Sequence, residues 1–339
     1  MDQRISRRDF IRILGLGSAA LAIPPTKHFY PTTEFGRVTA ESISVYEKPN
    51  DKSRIISQRY RDNILNIYRE VESEFGPGYN PIWFRVWGGY VHSGFVQKVH
   101  YRLNPVVENL PRQGKYAEVT VPFSQSYQLK AKGKWEKLYN LYFTSVHPIF
   151  SVKEGADGQP WYEIRDSLMT LSYYIPSAHM HVIEAEEISP LSVNVKAELK
   201  KIEISIDRQQ LTAFEGDKVV KQVKVSTGRP YLNKDPNLIP TDTPRGDFQI
   251  QHKRPSVHMG DGTIRSDAEA YELPGVPWVS YIESSTGVAI HGTYWHNNYG
   301  VTMSHGCINM LSEDAKWVYR WTTPEPNGPV MYRTPVKVY

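Results

Sequence analysis

The segment that most constrains the fold is a run in which apolar residues alternate strictly with polar ones. In "KKIEISIDRQQLTAFEGDKVVKQVKVSTG", Ile202, Ile204 and Ile206 point to one side of an extended chain, and an "EGD" turn separates two further apolar stretches. Alternation with a period of two is typical of a strand with one buried face, and Gly and Asp favour the turns between strands. The run predicts an antiparallel β-meander, and therefore a mainly β domain in the C-terminal half.

Neighbouring segments extend this domain. "VSYIESSTGVAIHG" predicts two strands around a Thr-Gly turn, and "DTPRGDFQIQHK" predicts a turn followed by a strand. "LSEDAKWVYRW" is the best helix of this half, with Ser312 as N-cap and two acidic residues in the first turn. The stretch "ISPLSVNV" indicates a boundary before the meander, so we expect the C-terminal domain to span residues 199–339.

The preceding part of the chain is also rich in short strands. "PIWFRVWGGYVHSGFVQKV" predicts a strand, a Gly-Gly turn and a strand; through Trp83, Phe84 and Val86 it resembles a bacterial Src-homology-3-like β-barrel. We expect this module at residues 37–100. A second β-rich module is expected at 101–196, where "WYEI" is similar to "WFRV". It is either a degenerate barrel or a coincidence of β-rich composition.

The N-terminus has the features of an export signal. In "MDQRISRRDFIRILGLGSAALAIPP", Arg7 and Arg8 precede an apolar run too short to span a bilayer comfortably, and small residues follow. This order resembles the twin-arginine signal, which carries folded proteins across the bacterial membrane. We expect a signal peptide at 1–23 and a linker at 24–36, and a location in the periplasm or at the cell wall and extracellular face. The alternative is the basic amphipathic start of a cytosolic protein.

The charge of the chain excludes few partners. Lys and Arg number 40 and Asp and Glu 36, which gives a formal net charge of +4. Such a mild excess permits contact with anionic cell-surface polymers and does not indicate nucleic acid binding. The oligomeric state is left open by the sequence.

The chain has a single cysteine, Cys307, within "SHGCINM". In an oxidising compartment it cannot form an internal disulfide, so it is an intermolecular link, a reactive thiol or a buried structural residue. Polar and glycine-bearing neighbours disfavour the last. His305 lies two residues earlier, and His291 ends the strand "GVAI" with Gly292 beside it. Because an imidazolium stabilises a thiolate, we expect a thiol pKa below the ordinary value of about 8.5. The amides of Gly306 and Cys307 are candidate oxyanion donors.

The stretch "IHGTYWHNNYGVTMSHGCINM" resembles the signature of the L,D-transpeptidases, the YkuD-type catalytic domain. "VSTG" and "TPRGDF" are similar to the strand and turn that precede the site in that family. The resemblance implies a β-sandwich-like catalytic domain that acts on peptidoglycan stem peptides, with Cys307 as nucleophile. The thiol attacks the third residue of a donor tetrapeptide, D-alanine leaves, and an acceptor amine resolves the thioester into a cross-link. No metal or organic cofactor is implied.

The same resemblance assigns the other site residues. His291 is the expected base and His305 a second catalytic residue, although spacing alone does not separate their roles. The residues expected around the substrate are Gly292, Tyr294, Trp295, Ser304, Gly306 and Asn309. Ser304 and Asn309 are expected to hold the loop together. Tyr294, Trp295 and Tyr299 either form a cleft wall or simply pack.

Three alternatives remain at this stage. By residue type alone, His291, His296, His305 and Cys307 make a zinc set, but their spacing fits no common motif. A non-catalytic wall-binding protein is a second alternative, although both nucleophile and base are present. L,D-carboxypeptidase activity, or attachment of a protein to peptidoglycan, would use the same acyl-enzyme.

Overall fold

The computed structural model describes residues 34–166, 168–230, 241–260, 272–324 and 332–339. The expected signal peptide and most of the expected linker lie outside these residues. The first strand begins at Glu34, inside the expected linker. The mainly β fold class is confirmed.

The first module consists of two small antiparallel sheets, with strand orders β4-β1-β8 and β3-β2-β7-β6-β5. Their strands are β1 (Glu34–Val38), β2 (Ser42–Tyr46), β3 (Ile55–Tyr60), β4 (Ile64–Ile67), β5 (Arg69–Glu72), β6 (Ile82–Val86), β7 (Gly89–His92) and β8 (Val96–Val99). Trp83, Phe84 and Val86 on β6 are all buried. A short 3₁₀ helix, Ser93–Phe95, connects β7 to β8.

The middle module is one seven-stranded antiparallel sheet in the order β11-β10-β14-β13-β12-β9-β15. Its strands are β9 (Lys115–Val119), β10 (Phe123–Leu129), β11 (Trp135–Tyr142), β12 (Val146–Glu154), β13 (Pro160–Asp166), β14 (Leu171–Pro176) and β15 (Met180–Val182). Further 3₁₀ turns occur at Ala131–Gly133, Ser177–His179, Ala185–Ile188 and Ala197–Leu199.

The C-terminal domain packs two sheets against one another around a helix. One sheet has the order β18-β17-β16-β24-β19 and the other the order β20-β21-β22-β23. The elements are β16 (Lys200–Ser205), β17 (Gln210–Glu215), β18 (Lys218–Lys224), β19 (Gly246–Gln249), β20 (His252–Gly260), β21 (Glu272–Glu283), β22 (Val288–Thr293), β23 (Ile308–Leu311), α1 (Ser312–Trp321) and β24 (Pro335–Val338). The predicted meander forms β16 to β18, with antiparallel pairing throughout.

The helix begins differently from the prediction. Leu311 occupies the N-cap position, and Ser312 is the first helical residue. The Ser312 hydroxyl is instead 2.9 Å from the hydroxyl of Thr144 in the middle module. The Ser312 side chain therefore contacts the middle module, whereas the local sequence pattern predicted that it would cap the helix.

The middle module also contributes to the core of the C-terminal domain. Val146 and Ile183 are buried within the same apolar cluster as Trp278, Ile290 and Met310. Burial of apolar surface across this boundary stabilises the contact between the two parts.

A buried charged cluster joins the same two parts. His258 on β20 lies between two carboxylates, with Nδ1 2.5 Å from Asp166 and Nε2 2.5 Å from Glu272. Only the imidazolium form can donate from both ring nitrogens at once. Burial opposes the charge on His258, but the hydrogen bond and charge of Asp166 and the charge of Glu272 raise its pKa overall.

None of the helices in the described residues has both the length and the apolarity to cross a bilayer.

Candidate active site

Cys307 lies immediately before β23 and is half-buried. Its side chain packs against a small apolar cluster on the outer face of the β20–β23 sheet, which includes Val279, Ala289 and Trp295. The thiol donates a long hydrogen bond to the carbonyl oxygen of Gly287, 3.7 Å away. Burial raises the pKa of Cys307 to about 11. The resting group is therefore a thiol, and the expectation of a lowered pKa is wrong for this geometry, because burial outweighs the backbone hydrogen bond from Ala289 that favours the thiolate.

His291 lies on β22, the strand that neighbours β23 in parallel register. Ile290 pairs with Ile308, and both belong to the main core. Since successive side chains alternate between the faces of a sheet, His291 lies on the outer face, as Ala289 and Cys307 do. Because Ile290 pairs with Ile308, Cys307 lies level with Ala289, and His291 projects from the same face two residues further along the neighbouring strand.

The protonation of His291 follows from its surroundings. Its Nδ1 is 2.9 Å from the carbonyl oxygen of Gly292 and donates to it, which leaves Nε2 as an acceptor. Burial lowers the pKa of His291 to about 4, so the ring is neutral near neutral pH. Within the described residues no hydrogen bond joins His291 to Cys307. The site therefore contains a neutral imidazole and a neutral thiol on one face of the sheet.

Cys307 is presented by a short loop, residues 304–307, which is held by hydrogen bonds within itself. The Ser304 hydroxyl donates to the Cys307 carbonyl oxygen at 2.5 Å and accepts from the Gly306 N–H at 3.2 Å. Gly306 has a φ of 113°, a conformation that favours glycine. Because its N–H already pairs with Ser304, the Gly306 amide is not an available oxyanion donor, contrary to the sequence expectation.

A threonine from a distant segment holds the same loop. The Thr243 hydroxyl donates to the carbonyl oxygen of Gly306 and accepts from the N–H of Gly228, each at 2.8 Å. A Cβ at Gly228 would lie 2.2 Å from the carbonyl oxygen of Thr241, so only glycine fits there. The motifs "VSTG" and "TPRGDF" contain Gly228 and Thr243, but no role was predicted for the Thr243 hydroxyl. The one signal in the sequence that could have indicated this role is the hydroxyl residue at the start of "TPRGDF".

Asn309 is fixed on both its backbone and its side chain. Its N–H and C=O pair with Ser226, each at 2.8 Å, and its side-chain amide lies 3.1 Å from Nε2 of His296. Nδ1 of His296 accepts from the N–H of Asn298, and burial lowers the pKa of His296 to about 3. His296 therefore supports Asn309. Among the described residues no three His, Cys, Asp or Glu side chains are arranged to hold a metal ion.

The aromatic residues of the loop between His291 and Cys307 have separate environments. Trp295 is half-buried, and its ring centroid is 5.9 Å from that of His291. Tyr294 is buried, and its hydroxyl donates to the carbonyl oxygen of Pro274 at 2.9 Å. Tyr299 is also buried, with its hydroxyl 2.6 Å from the hydroxyl of Thr293. Of these three aromatic residues, only Trp295 is placed to border a substrate near the thiol.

Two further expected site residues differ in exposure. Gly292 is buried, and a Cβ there would lie 2.8 Å from the Cα of Ser312, so this glycine permits the helix to pack beside β22. His305 is exposed on the loop that presents Cys307. The structure thus places His305 toward solvent and His291 inside.

A cleft of about 1250 Å³ lies between the middle module and β20. Its walls include Tyr116, Phe150, Arg165 and Arg254 but neither Cys307 nor His291. The cleft is therefore separate from the thiol–imidazole pair.

Comparison with known proteins identifies the C-terminal domain. Residues 199–338 match the family model of the L,D-transpeptidase catalytic domain, YkuD. The resemblance seen in the sequence is confirmed for this part of the chain, which carries an L,D-transpeptidase catalytic domain. No curated protein sequence matches the chain.

Several solved structures are similar over part of their length. The L,D-transpeptidase from Mycobacterium smegmatis is 24% identical, with 50% of this chain and 73% of that chain covered and a TM-score of 0.33. A mutant of the Enterococcus faecium L,D-transpeptidase is 25% identical, with 41% and 49% covered and a TM-score of 0.31. The catalytic domain of the Enterococcus faecium enzyme acylated by ertapenem is 26% identical, with 41% and 96% covered and a TM-score of 0.29. The similarity thus spans about half of the longer Enterococcus faecium chain. Since all three TM-scores lie below 0.5, the assignment rests on the family match.

Proposed function

We propose that the protein is an exported cysteine L,D-transpeptidase that cross-links peptidoglycan between the third residues of two stem peptides. The observation that carries this proposal is the buried, neutral His291 on the strand beside Cys307, within a domain that matches the transpeptidase family. A neutral imidazole with a free acceptor nitrogen can take the thiol proton during attack, so no preformed thiolate is required.

The reaction proceeds in two acyl transfers. Sγ of Cys307 attacks the carbonyl carbon of the third residue of the donor stem, and its proton passes to Nε2 of His291. The bond to the D-alanine nitrogen breaks, and the imidazolium returns the proton to that nitrogen, which leaves a thioester. The amine of a second stem then attacks the thioester, gives up a proton through His291, and releases the Cys307 thiol. Side chains at the entrance, Trp295 and His305, border the two substrates.

The products of the purified protein on tetrapeptide stems test the proposal. We expect a cross-linked dimer with release of D-alanine, and loss of both in Cys307→Ala. Release of D-alanine with only tripeptide formed identifies an L,D-carboxypeptidase and overturns the transfer step. Turnover that persists in Cys307→Ala overturns the assigned nucleophile.

Acylation by a β-lactam of the carbapenem type gives a second, substrate-independent test. We expect ertapenem to add one adduct, detected by intact-mass measurement, and Cys307→Ala to add none. Ser42→Ala serves as the control variant, since it removes an exposed hydroxyl of the first module and keeps the thiol. An adduct on Cys307→Ala would place the nucleophile elsewhere.

Export by the twin-arginine route is part of the proposal and rests on the sequence. Replacement of Arg7 and Arg8 by lysine should keep the protein in the cytoplasm, as measured by cell fractionation. Undiminished export of this variant would exclude the route.

We also propose that the first module contacts the cell wall. Trp83 and Trp161, the tryptophans of the similar motifs "WFRV" and "WYEI", are buried, whereas Trp87 on the Gly-Gly turn is 75% exposed. An exposed aromatic ring is suited to stacking on sugars. Trp87→Ala should therefore bind isolated cell walls less well, with acylation by ertapenem unchanged. Equal wall binding would remove this role from Trp87.

A further inference from the structure

The loop that connects His291 to Cys307 rests on the first module of the chain. The N–H of Asn297 donates to the carbonyl oxygen of Gly94 at 2.8 Å. The fit is close, because a Cβ at Gly94 would lie 2.5 Å from Oδ1 of Asn298. Two segments separated by about two hundred residues in the chain are therefore in direct contact beside the candidate active site.

A buried arginine of the first module reaches the same loop. Arg37 on β1 is 2% exposed. Its Nη1 donates to Asp62 at 3.0 Å, and its Nη2 donates to Gln97 at 2.9 Å and to the carbonyl oxygen of Tyr294 at 2.5 Å. A charged group removed from water is costly unless it is paired and hydrogen-bonded, so these partners define where the guanidinium lies.

The middle module completes the contact through an aromatic ring. The guanidinium carbon of Arg37 is 4.1 Å from the ring centroid of Tyr142. That ring stacks on the ring of Tyr294, with centroids 5.6 Å apart and planes inclined by 27°. All three parts of the chain therefore meet at Tyr294.

Tyr294 is adjacent to the site in sequence and in space. The next residue, Trp295, has its ring beside His291 and packs in the apolar cluster with Cys307. Since the carbonyl group of Tyr294 belongs to the peptide bond that joins it to Trp295, a hydrogen bond to that carbonyl orients the backbone from which the Trp295 side chain projects. The Trp295 ring contributes to the burial of the site, and burial keeps His291 neutral and the Cys307 thiol protonated.

We propose that Arg37 is a positioning residue for the transpeptidase reaction, which holds Trp295 against His291 and Cys307 through the carbonyl group of Tyr294. This inference rests on the proposed function and adds to it that the first module is part of the catalytic apparatus. Arg37 touches no substrate and acts only through the loop.

The test compares Arg37→Lys with Asp62→Asn in the full-length protein. Lysine keeps a positive charge for Asp62 but cannot reproduce the planar fork that reaches three acceptors. Asp62→Asn weakens the same ion pair but retains the bond to Tyr294, so it is the control for lost stability. Both are studied below their melting temperatures, with folded fractions matched by circular dichroism.

We expect the maximal rate of ertapenem acylation to fall about 100-fold in Arg37→Lys, the scale for misplacement of a catalytic group by about 1 Å. Exposure of His291 should move the acidic limb of the rate profile from about pH 4 toward its ordinary value of about 6.5. Alkylation of Cys307 by iodoacetamide at pH 8 should instead become faster, since a more exposed thiol has a lower pKa. Asp62→Asn, which keeps the guanidinium bond to Tyr294 but also alters the acceptor of the Tyr142 hydroxyl, should change each measurement far less than Arg37→Lys does.

A second variant tests the loop without altering an ion pair. Gly94→Ala adds a methyl group against Asn298, and it should shift the acidic limb in the same direction. Identical profiles for Arg37→Lys, Asp62→Asn and the wild type would overturn the positioning role. Failure of the proposed function is a different result, namely ertapenem acylation that survives in Cys307→Ala. The iodoacetamide measurement does not depend on that outcome.

Discussion

Nδ1 of His291 donates to the carbonyl oxygen of its neighbour Gly292 across 2.9 Å, and the bond fixes which ring nitrogen remains basic. Nε2 is an acceptor only while the ring is neutral. With its pKa lowered to about 4 by burial, the ring stays neutral over nearly all of the range in which the protein is expected to work.

The rate of acylation should therefore fall only at strongly acidic pH. As the pH falls through about 4, His291 becomes protonated and can no longer accept the thiol proton. The measurement is the rate of ertapenem acylation against pH. His291→Ala should remove this acidic limb and slow acylation by about 10²- to 10⁴-fold, the usual contribution of a general base. If His305→Ala removes the limb and His291→Ala does not, the two histidines have been assigned in the wrong order.

The thiol itself should titrate unusually high. Apolar packing raises the pKa of Cys307 to about 11, so alkylation by a small neutral reagent should still be increasing above pH 9. His291→Ala should leave this titration nearly unchanged, because a neutral imidazole does not stabilise a thiolate. A titration midpoint below the ordinary value of about 8.5 would instead reveal a thiolate–imidazolium pair.

Gly306→Ala should damage both stability and activity. The φ of 113° at this position is unfavourable for a residue with a Cβ and should cost about 1–2 kcal/mol of unfolding free energy. Because the strain falls on the loop that presents Cys307, acylation should slow as well. Gly88→Ala is the matched control: its φ is 88° and open space surrounds it. It should lower stability in chemical denaturation by a similar amount and leave the acylation rate intact.

Thr243→Val should show the importance of one buried hydroxyl. The substitution keeps the shape but leaves the Gly228 N–H and the Gly306 carbonyl group without their partner, at about 1–3 kcal/mol for each buried unpaired group. We expect a lower melting temperature and slower acylation. Thr243→Ser retains the hydroxyl and should restore most of the rate. Equal loss in both variants would show that the effect does not depend on the hydroxyl.

The charged cluster at His258 should make stability fall on the alkaline side. Its pKa is raised in the folded state, so its contribution is complete below the unfolded value of about 6.5 and is lost as the pH rises through the folded value. Melting temperatures of the wild type and His258→Gln should therefore converge as the pH increases. The control is His181→Gln, which affects a half-exposed pair with Glu187. A constant difference between wild type and His258→Gln would contradict the linkage.

The local sequence pattern was sufficient to predict the strands and the C-terminal helix. It was not sufficient to predict the contacts between them. The alternation of Ile202 and Ile204 identifies β16 because periodicity reports one buried face directly. Ser312 was misassigned because its partner, Thr144, is 168 residues away in the chain. The motif around Cys307 located the thiol that we propose as the nucleophile. It gave the wrong direction for the thiol pKa, because that pKa depends on side chains supplied by several strands.

The bond from Arg37 to the carbonyl oxygen of Tyr294 spans 257 residues of sequence. Hairpins such as β16–β17 can form as soon as they leave the ribosome, because their partners are neighbours in the chain. The Arg37 guanidinium cannot complete its hydrogen bonds at that stage. Most of the polypeptide must be synthesised before the carbonyl oxygen of Tyr294 exists. Until then the hydrogen-bond partners of Arg37 are those of the first module, Asp62 and Gln97. The contact between the first module and the loop that carries Trp295 is consequently assembled late in synthesis, from segments at opposite ends of the described fold.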